Sequence, residues 1–64
     1  MEFIKDGTWW KATGKNGTFW LSKKRGLWWA RYRPNDGTAG NWLFSEKGLR
    51  EAKARCKNHI KWED

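Results

Sequence analysis

The sequence is poor in several residue types, and each shortage excludes a class of protein. One cysteine among 64 residues excludes an internal disulfide and a cysteine-based zinc finger. No apolar run exceeds four residues, so the sequence predicts neither a membrane-spanning helix nor the apolar segment of a secretion signal. We therefore expect a cytoplasmic protein in a reducing compartment.

Groups suited to catalysis are also scarce. His59 is the single histidine, and it lies at the edge of an apolar stripe, where a structural role is the commoner one. Cys56 lies on that stripe, where a thiol is usually buried and inert. No pair of carboxylates is placed for acid–base chemistry, and no three metal ligands cluster. We predict a protein that is not an enzyme and needs no metal or cofactor.

Acidic residues are missing from the middle of the chain. Residues 7–35 contain seven Lys or Arg and no Asp or Glu, while the remaining basic residues balance all seven acids. The formal charge of +7 therefore belongs to this segment, which also holds five of the seven Trp. A charge run is often only a solvated face. Interleaved aromatic residues favour an anionic partner, with nucleic acid first.

The length allows one domain, residues 1–64, and turn signals divide it into strands at about 8–14, 17–23, 27–33 and 41–44. Asn16-Gly17 is typical of a type I′ hairpin turn, and this turn pairs Ala12 with Leu21. Alternation then gives two faces. The apolar face carries Trp10, Ala12, Phe19 and Leu21. The polar face carries Trp9, Lys11, Thr13, Thr18, Trp20 and Ser22.

The loop at residues 23–26 decides which faces the third strand shares. An even loop places Trp28, Ala30 and Tyr32 on the apolar side, and Trp29, Arg31 and Arg33 on the polar side. An odd, bulged loop exchanges the two sets. The sequence leaves this parity open.

Ser45 is a good N-cap for a helix over about residues 46–61. The spacing of Leu49, Ala52, Cys56 and Ile60 forms one apolar stripe. The predicted fold class is α+β: a three- or four-stranded antiparallel meander with one C-terminal helix packed on one face. The predicted core consists of Trp10, Phe19, Leu21, Trp28, Ala30, Tyr32, Leu49, Ala52, Cys56 and Ile60.

Residues 17–60 carry a family pattern. It consists of Gly17-Thr18-Phe19-Trp20, Gly26 to Arg33, Trp42-Leu43-Phe44 and Glu51-Ala52-Lys53-Ala54. This pattern resembles the small sheet-plus-helix DNA-binding domains of plant ethylene-response factors and the arm-binding domains of tyrosine integrases. The resemblance implies that Trp28, Ala30 and Tyr32 pack on the helix, and that Trp29, Arg31 and Arg33 face the DNA major groove. The chain departs from the pattern where Leu43 and Phe44 adjoin without an intervening glycine.

We therefore predict a small basic protein that binds nucleic acid, with duplex DNA favoured. The predicted binding residues are Trp9, Lys11, Trp20, Lys23, Lys24, Arg25, Trp29, Arg31 and Arg33. Stacking on Trp and phosphate contacts from Lys and Arg supply the chemistry.

Three alternatives remain open at this point. A small phage or mobile-element protein could bind and modulate an acidic host protein, because protein interfaces also favour Trp and Arg. The open Trp residues could form a second core with the segment Met1-Glu2-Phe3-Ile4 or with a partner subunit. An SH3-like barrel that holds a peptide fits the strands, but it fits the C-terminal helix poorly.

Overall fold

A five-stranded antiparallel sheet followed by one helix is formed by residues 1–59 and 62, which are the residues that the computed structural model describes. The sheet is a meander in the order β1-β2-β3-β4-β5. Its strands are β1 (Ile4–Asp6), β2 (Trp9–Thr13), β3 (Gly17–Lys24), β4 (Leu27–Pro34) and β5 (Asn41–Glu46), and the helix is α1 (Leu49–Lys57). The α+β class is confirmed. The strand count is one or two higher than predicted, because residues 4–6 add an edge strand to β2.

The sheet has two unlike sides, here called the helix face and the open face. On the helix face, four sheet residues are buried with Ala52 and Cys56 of α1. The sheet residues of this core are Phe19, Leu21, Ala30 and Tyr32, and Phe19 and Leu21 are among its largest fully buried side chains. The faces thus follow the predicted alternation.

The turn between β3 and β4 settles the parity that the sequence left open. Lys24 pairs with Leu27, so the loop has two residues. Its residues Arg25 and Gly26 have φ angles of 55° and 77°, the two positive values of a type I′ turn. An even loop keeps Trp28 on the helix face and places Trp29 on the open face.

The β2–β3 hairpin differs from the prediction by two residues. Ala12 pairs with Phe19, not with Leu21, and Lys15-Asn16 form the tip. Neither Asn16 nor Gly17 has a positive φ. The tip is held by two hydrogen bonds from Asn35. Its backbone N–H donates to the Asn16 carbonyl at 2.9 Å, and its side-chain amide donates to the Lys15 carbonyl at 3.0 Å. Because the shift is even, every residue keeps its predicted face.

The helix begins later than predicted. Ser45 and Glu46 extend β5, paired with Trp29 and Trp28, so Ser45 is not the N-cap. Gly48 occupies that position, with extended backbone and no side-chain cap. The long β4 offers partners to these two residues, and strand pairing takes precedence over the local capping signal.

The helix ends at Lys57, and the predicted positions Ile60 and Lys61 lie outside the described residues. After the helix, His59 contacts the rings of Phe19 and Phe44, with centroids 5.7 and 6.4 Å away. Three predicted core residues are only half-buried around the core: Trp10, Trp28 and Leu49.

Candidate nucleic-acid interface

The open face carries rows of side chains that run across the strands. In the central row, cations and aromatic rings alternate because strand pairing places Lys11 beside Trp20, Trp20 beside Arg31, and Arg31 beside Trp42. The next row consists of Asp6, Trp9, Ser22, Trp29 and Ser45. Alternation along the strands thus gathers aromatic and basic residues that are far apart in the sequence.

Four Trp of the open face contact one another and form an indole cluster. Trp9 and Trp42 lie nearly parallel, with centroids 6.5 Å apart and planes inclined by 21°. Trp20 meets Trp9 edge-on at 5.9 Å, and Trp29 meets Trp42 edge-on at 6.4 Å. Because β2 and β5 are three strand spacings apart, or about 14 Å, these rings converge over the middle of the sheet.

Trp42 is the member of this cluster that the sequence prediction missed. A β-bulge between the pairs Ala30–Phe44 and Arg31–Trp42 inserts Leu43 as an extra residue. Leu43 and Phe44 therefore both pack against the core, and Trp42 turns to the open face with 55% of its surface exposed. Two adjacent apolar residues in a strand with one covered face were the signal for a bulge.

Two arginines lie beside one half of the cluster. Arg31 and Arg33 line a cleft of about 230 Å³ with Trp9 and Trp20, here called the strand cleft. The guanidinium carbon of Arg31 lies 6.0 Å from the ring centroid of Trp42. These guanidinium groups and rings form a site with fixed aromatic walls and cationic donors.

Lys11 differs from Arg31 and Arg33 because it lies beside an acidic residue of the protein itself. Its ammonium nitrogen lies 3.9 Å from a carboxylate oxygen of Asp6 and 5.2 Å from the ring centroid of Trp20. Asp6 thus brings one acid to the edge of the open face. We expect Lys11 to attract an anion less strongly than Arg31 or Arg33, because a carboxylate already accompanies its charge.

The basic hairpin tip is divided between the two faces. Lys24 and Arg25 line a second cleft, of about 390 Å³, with Ser22, Trp29 and Trp42; this is the hairpin cleft. Lys23 pairs with Trp28 and so belongs to the helix face. Lys23 is thus the one predicted binding residue that the structure separates from the others, because alternation sends neighbouring residues to opposite faces.

The N-terminal segment does not build a second core with the open Trp residues. Phe3 packs at the helix face, where the Lys53 ammonium lies 5.8 Å from its ring centroid and 4.0 Å from that of Trp10. Ile4, on the open face beside Lys11, is 60% exposed. The indole cluster therefore consists of Trp residues that cover one another.

The charges around the cluster decide which ligands it favours. Perpendicular aromatic rings can hold a quaternary ammonium group, but the two clefts are lined by Arg31, Arg33, Lys24 and Arg25 and by no carboxylate. The acid that follows the basic segment, Asp36, accepts hydrogen bonds from the backbone and hydroxyl of Thr38, which lower its pKa. The site thus favours an anion with a planar group.

No helix among the described residues is long and apolar enough to cross a membrane. Within residues 1–59 and 62, no three His, Cys, Asp or Glu side chains are gathered as metal ligands. No protein-family model, curated protein or solved structure gives a significant match to this chain.

Proposed function

We propose that this chain is a small, non-catalytic nucleic-acid-binding protein that contacts duplex DNA through its open face. The contacting residues are Trp9, Lys11, Trp20, Lys24, Arg25, Trp29, Trp42, Arg31 and Arg33. The resemblance to ethylene-response-factor and integrase domains supports the same surface. A cytoplasmic location, expected from the composition, belongs to this proposal.

The observation that carries the proposal is the pairing of cations with aromatic rings on the face of the sheet opposite the helix. The helix covers the other side of the sheet, so the open face is accessible to a macromolecule. Arg31 and Arg33 offer forked donors that fit phosphate oxygens or the O6 and N7 atoms of guanine. Trp42 is exposed and the other three Trp of the cluster are partly exposed, and such aromatic residues beside cationic donors are typical of a binding surface.

The test is the salt dependence of binding to a short labelled duplex. If four to six phosphates are neutralised, log K should fall against log salt concentration with a slope of about −4 to −5. The double variant Arg31→Ala, Arg33→Ala should bind more weakly and flatten the slope by about one to two. Trp29→Ala should weaken binding with little change in slope, because an indole releases no counterion.

A matched control removes the same charge from the opposite side. Arg50 and Lys57 are exposed residues of α1, so Arg50→Ala with Lys57→Ala should leave affinity nearly unchanged apart from a small long-range effect. Equal losses in both double variants would mean that net charge alone drives binding, and would contradict the proposed face.

A protein partner is the second candidate, favoured by the exposure of Trp42 and Ile4 at opposite ends of the central row. A phage or mobile-element protein of this kind would bind an acidic host protein with the same face. Recovery of a single host protein in a nuclease-treated pull-down, with DNA affinity no better than that of a generic basic peptide, would favour this candidate.

A further inference from the structure

The hairpin cleft contains a strained residue whose side chain is basic. Arg25 has a φ of 55°, and within the described residues the other positive φ angles belong to glycines. Gly, Asn and Asp are the residues favoured in a type I′ turn, since a longer side chain is strained at positive φ. Strain of this kind is retained where the side chain has a role, and here the side chain lines a cleft.

The walls of the hairpin cleft are two indole rings that form a corner. Trp29 and Trp42 are inclined by 79°, so a planar group stacked on one ring directs its edge towards the other. The indole N–H of Trp29 donates to the Lys24 carbonyl at 3.1 Å, which holds that ring at the turn. Trp42 is 55% exposed and lines the cleft beside Trp29.

The charges that line the hairpin cleft favour a ligand with an anionic group. Lys24 and Arg25 line the cleft together with the indole corner, and no acid lines it. A base attached to a phosphate carries a planar ring and an anion within one unit. The cleft volume of about 390 Å³ is in the range of small-ligand sites.

From these observations we infer that the hairpin cleft binds one unpaired nucleotide, its base stacked in the corner of Trp29 and Trp42 and its phosphate on Lys24 and Arg25. An internal paired base cannot enter, because both its faces are covered by neighbours in the duplex. A paired base at a blunt end has one free face, but its pairing edge is held by its partner and cannot turn towards the second ring of the corner. This inference rests on the proposed function and narrows it: the favoured DNA is a duplex that ends in, or contains, an unpaired nucleotide.

The experiment compares one duplex in three forms by fluorescence anisotropy: blunt, with one unpaired thymidine at each end, and with an abasic nucleotide in its place. Both 3′ and 5′ overhangs are tested. The abasic form has the same phosphates and lacks only the base. For at least one overhang polarity, the thymidine form should bind roughly 5- to 100-fold tighter than its abasic counterpart.

Variants of adjacent lysines provide a matched control. Lys24→Gln should lose affinity for the overhang duplex, whereas Lys23→Gln, which alters the helix face, should lose much less. Trp42→Ala should abolish the advantage of thymidine over the abasic nucleotide, measured as the ratio of the two affinities within this variant. Arg25→Asn should weaken overhang binding and raise Tm, because Asn tolerates a positive φ.

The outcomes separate the inference from the proposed function. Salt-dependent binding of the blunt duplex with no advantage of thymidine over the abasic nucleotide in either polarity would overturn the inference and leave the proposed function standing. Absence of salt-dependent binding to every form would overturn both. An Arg25→Asn variant with raised Tm and unchanged overhang affinity would also contradict the role given to Arg25.

Discussion

Gly17 shows at the residue scale that one glycine can serve close packing rather than turn geometry. A Cβ at this position would lie 2.5 Å from the Arg33 carbonyl oxygen and 2.6 Å from both Cζ and the hydroxyl oxygen of Tyr32. Both neighbours belong to β4, which pairs with β3 along its length. The glycine therefore lets the ring of Tyr32 pass under the end of β3.

Gly17→Ala should destabilise the protein by about 1–3 kcal/mol, because the added methyl group overpacks a rigid backbone contact. Urea denaturation measures the change. Gly7→Asn is the matched control, since Gly7 has a φ of 63° with nothing within 4 Å of an added Cβ, and Asn tolerates that conformation. A similar decrease in the free energy of unfolding of both variants would contradict the role given to the close contact at Gly17.

Phe19 and Trp28 differ in burial, and this difference predicts which substitution by alanine destabilises the protein more. Phe19 is fully buried and contacts Tyr32 with a centroid distance of 4.9 Å, whereas Trp28 is half-buried. Phe19→Ala should cost about 3–5 kcal/mol, close to the whole stability of so small a domain. We expect that variant to be largely unfolded at 25 °C. Trp28→Ala should still melt cooperatively at a lower temperature, and the reverse order in thermal melts followed by circular dichroism would contradict the assigned core.

The position of the helix on the sheet is the main feature at the element scale. A nine-residue helix is too short to be stable alone, so packing of its apolar stripe must hold it. Ala52 and Cys56 supply the fully buried part of that stripe. At the edge, the Arg55 guanidinium donates to the Glu46 carboxylate at 2.6 Å and lies over the ring of Phe44.

Burial of the Cys56 thiol under the helix makes the stability of the protein depend on pH. Burial raises its pKa from 9.0 to about 12. Between these values the unfolded chain releases the thiol proton and the folded chain keeps it, so stability falls as pH rises above about 9. Between pH 7.5 and pH 10, the free energy of unfolding of the wild type should fall by roughly 1 kcal/mol more than that of Cys56→Ala. Equal losses in urea denaturation would show that the thiol is accessible in the folded protein.

At the scale of the whole molecule, both sides of a small domain carry an excess of positive charge. The formal charge is +7, and the open face carries much of the basic segment from which it comes. Like charges on a compact molecule repel one another, and salt screens the repulsion. The surface that would attract nucleic acid therefore destabilises the free protein.

Raising sodium chloride from about 10 to 300 mM should increase the Tm of the free protein, because the Debye length falls well below the width of the face. The double variant Arg31→Ala, Arg33→Ala should show a smaller increase. A Tm that is constant or falls with salt would mean that favourable ion pairs, such as Lys11 with Asp6, outweigh the repulsion.

The sequence by itself determined the fold class, the two faces of the first hairpin and the apolar stripe of the helix. Strand alternation has a period of two, so Trp9, Lys11 and Trp20 keep their face even though the first hairpin is shifted by two residues. The same reasoning placed Ala52 and Cys56 in the core, because helical periodicity is a local property of the chain.

Only the tertiary structure decided the features that depend on strand partners. It decided the parity at Arg25-Gly26, since turn length follows from which residues pair across the sheet. It placed Ser45 in β5 because β4 offered a partner, and it turned Trp42 to the open face through the bulge at Leu43. It also extended β3 by one residue to Lys24, which pairs with Leu27, so that Lys23 and Lys24 lie on opposite faces. Local patterns cannot encode these outcomes, because each one depends on a hydrogen-bond partner from a distant part of the chain.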